Sequence, residues 1–96
     1  MRRKIVFENS YFKDLKKVAK QGLFSDEVAF EVQKITDLLI ADKPLDAKYK
    51  NHALVGDYKG YRDCHIKPDL VLIYKISDES VNLTRIGRHQ DLFKRY

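Results

Sequence analysis

The chain has 96 residues, 44% hydrophobic and 34% charged, with six tyrosines and five phenylalanines. That length supports one hydrophobic core and one domain, residues 1–96, and the composition is too apolar and aromatic for a disordered chain. Nineteen Lys and Arg against fourteen Asp and Glu give a net charge of +5; such an excess suits a polyanionic partner such as nucleic acid or an acidic protein, and equally keeps a small protein soluble.

The N-terminal run Met1-Arg-Arg-Lys-Ile-Val-Phe7 meets a charge at Glu8, too soon for the apolar stretch of a signal peptide. Arg2 to Phe7 instead reads as a first strand. Asn9 and Ser10 are N-cap residue types, and Phe12, Leu15 and Ala19 then recur at helical spacing with Val18 beside them. Gly22 stands where a glycine stops a helix. Ser25 opens a second helix, with Asp26 and Glu27 placing negative charge at its unpaired N–H groups. Val28, Val32, Ile35 and Leu39 form one apolar stripe, and Pro44 ends the pattern. The two helices form a hairpin.

After a polar, turn-rich stretch over 43–53, the chain reads as β. A short strand is expected through Leu54 to Tyr58, turning near Lys59-Gly60. Strands Tyr61–Ile66, Leu70–Ile76 and Val81–Ile86 follow, joined by short links that favour antiparallel neighbours. Leu70-Val-Leu-Ile-Tyr74 is the longest apolar run, and it has strand length, far short of a membrane helix. Cys64, the single cysteine, can form neither an internal disulfide nor a cysteine zinc cage. Together these absences point to a cytoplasmic protein without a membrane partner. Gly87 is expected to close the last strand, and His89 to Phe93 to form one helical turn. The order β-α-α-β-β-β-β predicts an α+β domain with a helical hairpin on one face of a mainly antiparallel sheet.

The chemistry-bearing residues come from separate segments. His52 precedes the sheet, His65 lies on the first long strand and His89 in the C-terminal turn. Asp63 lies two residues before His65, so strand alternation points both to one side, with Tyr61. Asp69 sits in the turn between the central strands, Arg85 near the end of the last strand, and Arg88 just beyond Gly87. The sheet face away from the helices is where these groups are expected to gather. His, Asp and Arg on a basic surface match the needs of RNA phosphodiester cleavage. One group takes the 2′-hydroxyl proton, another gives a proton to the leaving 5′-oxygen, and cations stabilise the charged phosphorus centre. The nucleophile belongs to the substrate, so no cofactor is required. Zinc binding by the three histidines lacks any short-range ligand spacing, and no metal site is expected. Structural roles remain open for each residue: a hydrogen-bonded strand histidine for His65, a turn aspartate for Asp69, a cross-strand ion pair for Arg85.

The stretch Leu54-Val-Gly-Asp-Tyr-Lys-Gly-Tyr-Arg-Asp63, the following Cys-His-Ile-Lys-Pro-Asp-Leu-Val-Leu-Ile-Tyr-Lys75, and Arg85-Ile-Gly-Arg-His89 to Leu92-Phe93 closely resemble the RelE/YafQ-type mRNA interferase toxins of bacterial toxin–antitoxin systems, the YafQ branch in particular. The resemblance spans nearly the whole chain and its β-α-α-β-β-β-β order. It implies ribosome-dependent mRNA cleavage, inhibition of translation, and neutralisation by a cognate acidic antitoxin. The free toxin would be a monomer and the antitoxin complex a hetero-oligomer. Position by position, His52, Asp63, His65, Asp69, His89 and Phe93 match active-site positions of the branch. His89 is then the general acid and His52 the base, with Asp69 nearby to polarise it. His65 and Asp63 position the phosphate, and Phe93 stacks on a base. Arg85 matches a phosphate-side arginine; Lys59, Arg62 and Arg88 complete the expected RNA contacts. Tyr58 stands where the branch often has Trp, Ala53 where Pro often follows the histidine, and Cys64 where a small residue is usual. The tail Lys94-Arg-Tyr96 adds positive charge and is expected to strengthen salt-dependent binding. Two other readings fit the charge: a ParE-like toxin that binds DNA gyrase without catalysis, and a basic RNA- or protein-binding module.

Overall fold

Leu70 to Tyr74 carries apolar side chains to both sides of its strand, which suits only a position covered on both faces. A computed structural model, describing residues 3–93, places it at the centre of a five-stranded sheet. The elements are β1 (Lys4–Phe7), α1 (Asn9–Lys20), α2 (Asp26–Ile40), β2 (His52–Ala53), β3 (Arg62–Lys67), β4 (Leu70–Ile76), β5 (Ser80–Arg88) and α3 (His89–Leu92). The strand order is β1-β5-β4-β3-β2, with β1 parallel to β5 and every other pair antiparallel. The expected tail contribution of Lys94 to Tyr96 lies outside the described residues.

One sheet face carries Cys64, Ile66, Leu70, Leu72, Tyr74, Val81, Leu83 and Ile86 under the two long helices. α2 presents the predicted stripe of Val28, Val32, Ile35 and Leu39, and Ser25 Oγ accepts from Val28 N as its N-cap. α2 stops where Asp42 adopts φ +57, with Lys43 N donating to Leu38 O; Pro44 comes only after this turn. Gly22, at φ +74, closes α1 in the same way, Leu23 N reaching Val18 O.

α1 is rotated from its predicted phase. Tyr11, Leu15 and Val18 face the core, while Phe12 is about half exposed and stacks on Phe7 at 5.7 Å. The helix begins at Asn9, so neither Asn9 nor Ser10 caps it. Polar contacts set the rotation. Beyond Leu83, β5 has no strand beside it on the β1 side among the described residues, and α1 covers that edge. Ser10 Oγ donates to Thr84 O at 2.6 Å, and Ile86 N donates to Asp14 Oδ2 at 3.1 Å. Asp14 also accepts from Arg85 Nε at 2.6 Å and Nη2 at 3.1 Å. Asp14→Ala removes all three bonds and leaves a half-buried guanidinium without its carboxylate. The expected loss of stability is about 2–4 kcal/mol, read by urea unfolding. A loss below about 0.5 kcal/mol, ordinary for a surface change, would contradict this role.

The opposite sheet face is partly covered. Val71 and Ile73 pack with Leu54, Tyr58, Tyr61, Leu92 and Phe93 into a second small cluster. The strand expected through Leu54–Tyr58 is absent: β2 ends at Ala53, and Gly56, at φ +66, begins a 3-10 turn that ends at Tyr58. The turn folds Tyr58 back over the sheet, where a strand would have carried it along the edge.

Candidate active site

Antiparallel register assembles the site from three segments. His52 on β2 pairs with Asp63 on β3, and His65 lies two residues further along the same face. β5 runs through Gly87 to Arg88, past the glycine expected to end it, and turns directly into α3. Gly87 is buried, and a Cβ there would lie 3.2 Å from Leu92 Cδ2. The missing side chain lets α3 fold back on the sheet. His89 is thereby brought to His65, with ring centroids 6.5 Å apart, and to Phe93 at 4.7 Å. Asp91 ties α3 to α1 through Gln21 and Lys17.

Hydrogen bonding decides the histidine tautomers. His52 Nδ1 lies 2.9 Å from the Lys50 carbonyl, which can only accept, so in the neutral imidazole Nδ1 carries the proton and Nε2 the lone pair. His65 Nδ1 faces the Pro68 carbonyl at 3.3 Å, with the same consequence. Both imidazoles can therefore take a proton at Nε2. Asp63 lies beneath them, 1% exposed, with Oδ1 3.1 Å from His52 Nδ1. That oxygen accepts no hydrogen bond among the described residues. Burial raises the carboxyl pKa, opposed by the nearby His52, His65, His89 and Arg62.

An aromatic strip continues from the histidines. Phe93 meets Tyr58 edge-on at 5.9 Å, Tyr58 meets Tyr61 at 6.0 Å, and Lys75 lies over the Tyr61 ring. Two hollows lie beside this face, one at His65 and one at Phe93. One of about 360 Å³ is lined by His65 and by Lys48, Lys50 and Lys67 together with Glu27 and Glu31, and one of about 470 Å³ by Val55, Asp57, Tyr58 and Phe93.

The structure thus brings His52, Asp63, His65, His89 and Phe93 onto one face. Asp69 is elsewhere. It lies in the exposed β3–β4 turn beside Arg88 and makes no hydrogen bond among the described residues; the carboxylate against His52 is Asp63. The expected pairing of Asp69 with His52 fails because the two lie at opposite ends of β3. Arg62 is also displaced, since it alternates with Asp63 and turns to the helix side, where it bonds Asn51. Arg85 does reach the site face, because a bulge at Thr84 flips the alternation of β5. Its guanidinium is held by Asp14 and donates to Tyr58 Oη at 3.2 Å. Arg88 is half-exposed and bonds Asp91, while Lys59 is exposed after the Tyr58 turn. The sequence reading missed Asp14 and Asn51. Asp14 had a signal, being the only acid in a lysine-rich helix; Asn51 had only its place beside His52. Among the described residues no group of three or more His, Cys, Asp and Glu is arranged to hold a metal ion.

A family model described as the bacterial toxin of type II toxin–antitoxin system, YafQ, matches residues 3–94. The mRNA interferase toxin YafQ of Escherichia coli strain K12 is 38% identical over 93 residues, 97% of this chain and 98% of that protein. The crystal structure of the E. coli DinJ-YafQ toxin–antitoxin complex superposes with a TM-score of 0.81 at 38% identity, covering 97% and 99% of the two chains. A copper-bound mutant toxin from Helicobacter pylori gives a TM-score of 0.83 at 38% identity, covering 97% and 100%.

Proposed function

Because the chain belongs to the YafQ family of bacterial type II toxins, whose curated E. coli members are mRNA interferases, we propose that it cleaves mRNA on the ribosome by metal-independent acid–base catalysis. The observation that supports this most is the pair of carbonyl-anchored histidines, His52 and His65, whose free Nε2 atoms share a sheet face with His89. His52 Nε2 takes the proton of the 2′-hydroxyl, and the 2′-oxygen attacks phosphorus. His89 protonates the departing 5′-oxygen as the P–O bond breaks. The products are a 2′,3′-cyclic phosphate and a free 5′-hydroxyl. The buried Asp63 carboxylate favours the imidazolium that forms on His52, and His65 sits where it can hold the phosphate. Phe93 and Tyr58 offer faces for a neighbouring base.

A net charge of +5 fits both the ribosomal substrate and an acidic antitoxin that folds over the toxin. The E. coli relative forms a toxin–antitoxin complex with DinJ. The same reading puts the protein in the cytoplasm; no helix among the described residues is long and apolar enough to cross a membrane. The gyrase-binding and simple binding-module readings give way to membership of the YafQ family. Primer extension on a defined mRNA, with and without programmed ribosomes, tests the proposal. Cuts at codon positions only when ribosomes are present are expected. Equal cutting of free mRNA would remove ribosome dependence, and no cutting in either case would remove the enzyme reading.

A further inference from the structure

β2 is the weakest element of the site. It has two residues and sits at the sheet edge, and Lys50, two residues before His52, adopts φ +48. Two residues of backbone pairing cannot hold a proton-transfer group to the tolerance that acid–base chemistry needs. A side-chain clamp supplies the rest. Asn51, immediately before His52, accepts at Oδ1 from Arg62 Nε at 3.0 Å and from Arg62 Nη2 at 2.5 Å. Its Nδ2 donates to Tyr74 Oη. Tyr74 is 1% exposed on the central strand and is the cross-strand neighbour of Arg62. The clamp therefore runs from the rigid core, through a planar fork, to the residue adjoining His52.

We infer that Arg62 and Asn51 are positioning residues that fix His52, and that Arg62 is not a contact for RNA phosphate. Its guanidinium points to the helix side of the sheet, away from the three histidines, and two of its donors are already engaged by one amide oxygen. The inference rests on the base role of His52 given above. Asn51 is suited to the task because its amide offers an acceptor to the arginine and a donor to the tyrosine at once. An aspartate could also serve, accepting from Arg62 and from the Tyr74 hydroxyl.

The test compares the full chain with Arg62→Ala, Asn51→Ala, Asn51→Asp and His52→Gln in cleavage of mRNA on programmed ribosomes. Binding is followed against salt, and the histidine ring protons by NMR. Arg62→Ala and Asn51→Ala are expected to lower kcat about 10²-fold with KM unchanged. Asn51→Asp recovers most of that loss. Binding keeps its salt slope, and in Arg62→Ala the His52 resonances move while those of His65 and His89 stay. A phosphate contact would behave otherwise: KM would rise at constant kcat, and the salt slope would fall by about one. That result, or unshifted His52 resonances in both alanine variants, overturns the clamp. A wild-type rate for His52→Gln would instead remove the base role of His52. The NMR comparison still decides whether Arg62 and Asn51 place the ring, and Asn51→Ala covers the case in which Arg62→Ala fails to fold.

Discussion

Replacing His89 with Gln lowers single-turnover cleavage on the ribosome by about 10²–10⁴-fold, the contribution of a positioned general acid, and leaves ribosome binding nearly unchanged. The fold gives reason to expect so clean a separation. His89 is exposed at the start of α3, outside both apolar clusters, and its described neighbours are His65 and Phe93. Gln keeps a similar length and polarity, so α3 remains seated by Leu92 over Gly87 and by Asp91 against Gln21. What is removed is the proton for the leaving 5′-oxygen. Rapid-quench kinetics and ribosome co-sedimentation measure the two halves. A rate within tenfold of wild type, the lower edge being about 10², would move the acid role to another group.

Asp63→Asn is expected to weaken catalysis and strengthen the fold. Cleavage falls about 10²-fold, because the carboxylate no longer favours the imidazolium forming on His52. Stability at pH 8 rises by about 1 kcal/mol, since a buried charge whose Oδ1 accepts no hydrogen bond among the described residues is replaced by a neutral amide. The pH dependence has a definite sign. Burial raises the folded carboxyl pKa above its unfolded value, so the penalty is absent below the unfolded pKa. It grows as pH rises through the window between the two values and is fully present above the folded one. The advantage of the Asn variant therefore shrinks toward zero on acidification. Urea unfolding at pH 8 and at pH 3, below the unfolded carboxyl pKa, reads both ends, and an Asn variant less stable than wild type at pH 8 would contradict it.

The sequence and the structure agree where apolar periodicity alone decides position. Leu70 to Tyr74 had to be central, and α2 had both its stripe and its Ser25 cap in plain view. They part where polar contacts between distant segments decide. The phase of α1 is set by Ser10 and Asp14 on the bare edge of β5, which a hydrophobic pattern does not register. Leu54 to Tyr58 carries strand-forming residues, but Gly56 in a left-handed conformation turns it back over Val71 and Ile73. Strand alternation placed Asp63 with His65 and, applied one residue earlier, also places Arg62 on the opposite face. Asp69 and Asp63 were both carboxylates near β3, and only the β2–β3 register distinguishes the one that meets His52.

The most direct test of acid–base attack by the 2′-hydroxyl is the chemistry of the cut ends. An mRNA cleaved on programmed ribosomes should carry a 2′,3′-cyclic phosphate, or the 3′-phosphate formed from it, upstream and a 5′-hydroxyl downstream. A message with a single 2′-deoxy substitution at the cut should stay intact there. A 3′-hydroxyl with a 5′-phosphate, or cleavage undiminished by the deoxy substitution, would mean that water attacks phosphorus and that His52 does not activate the substrate's own hydroxyl.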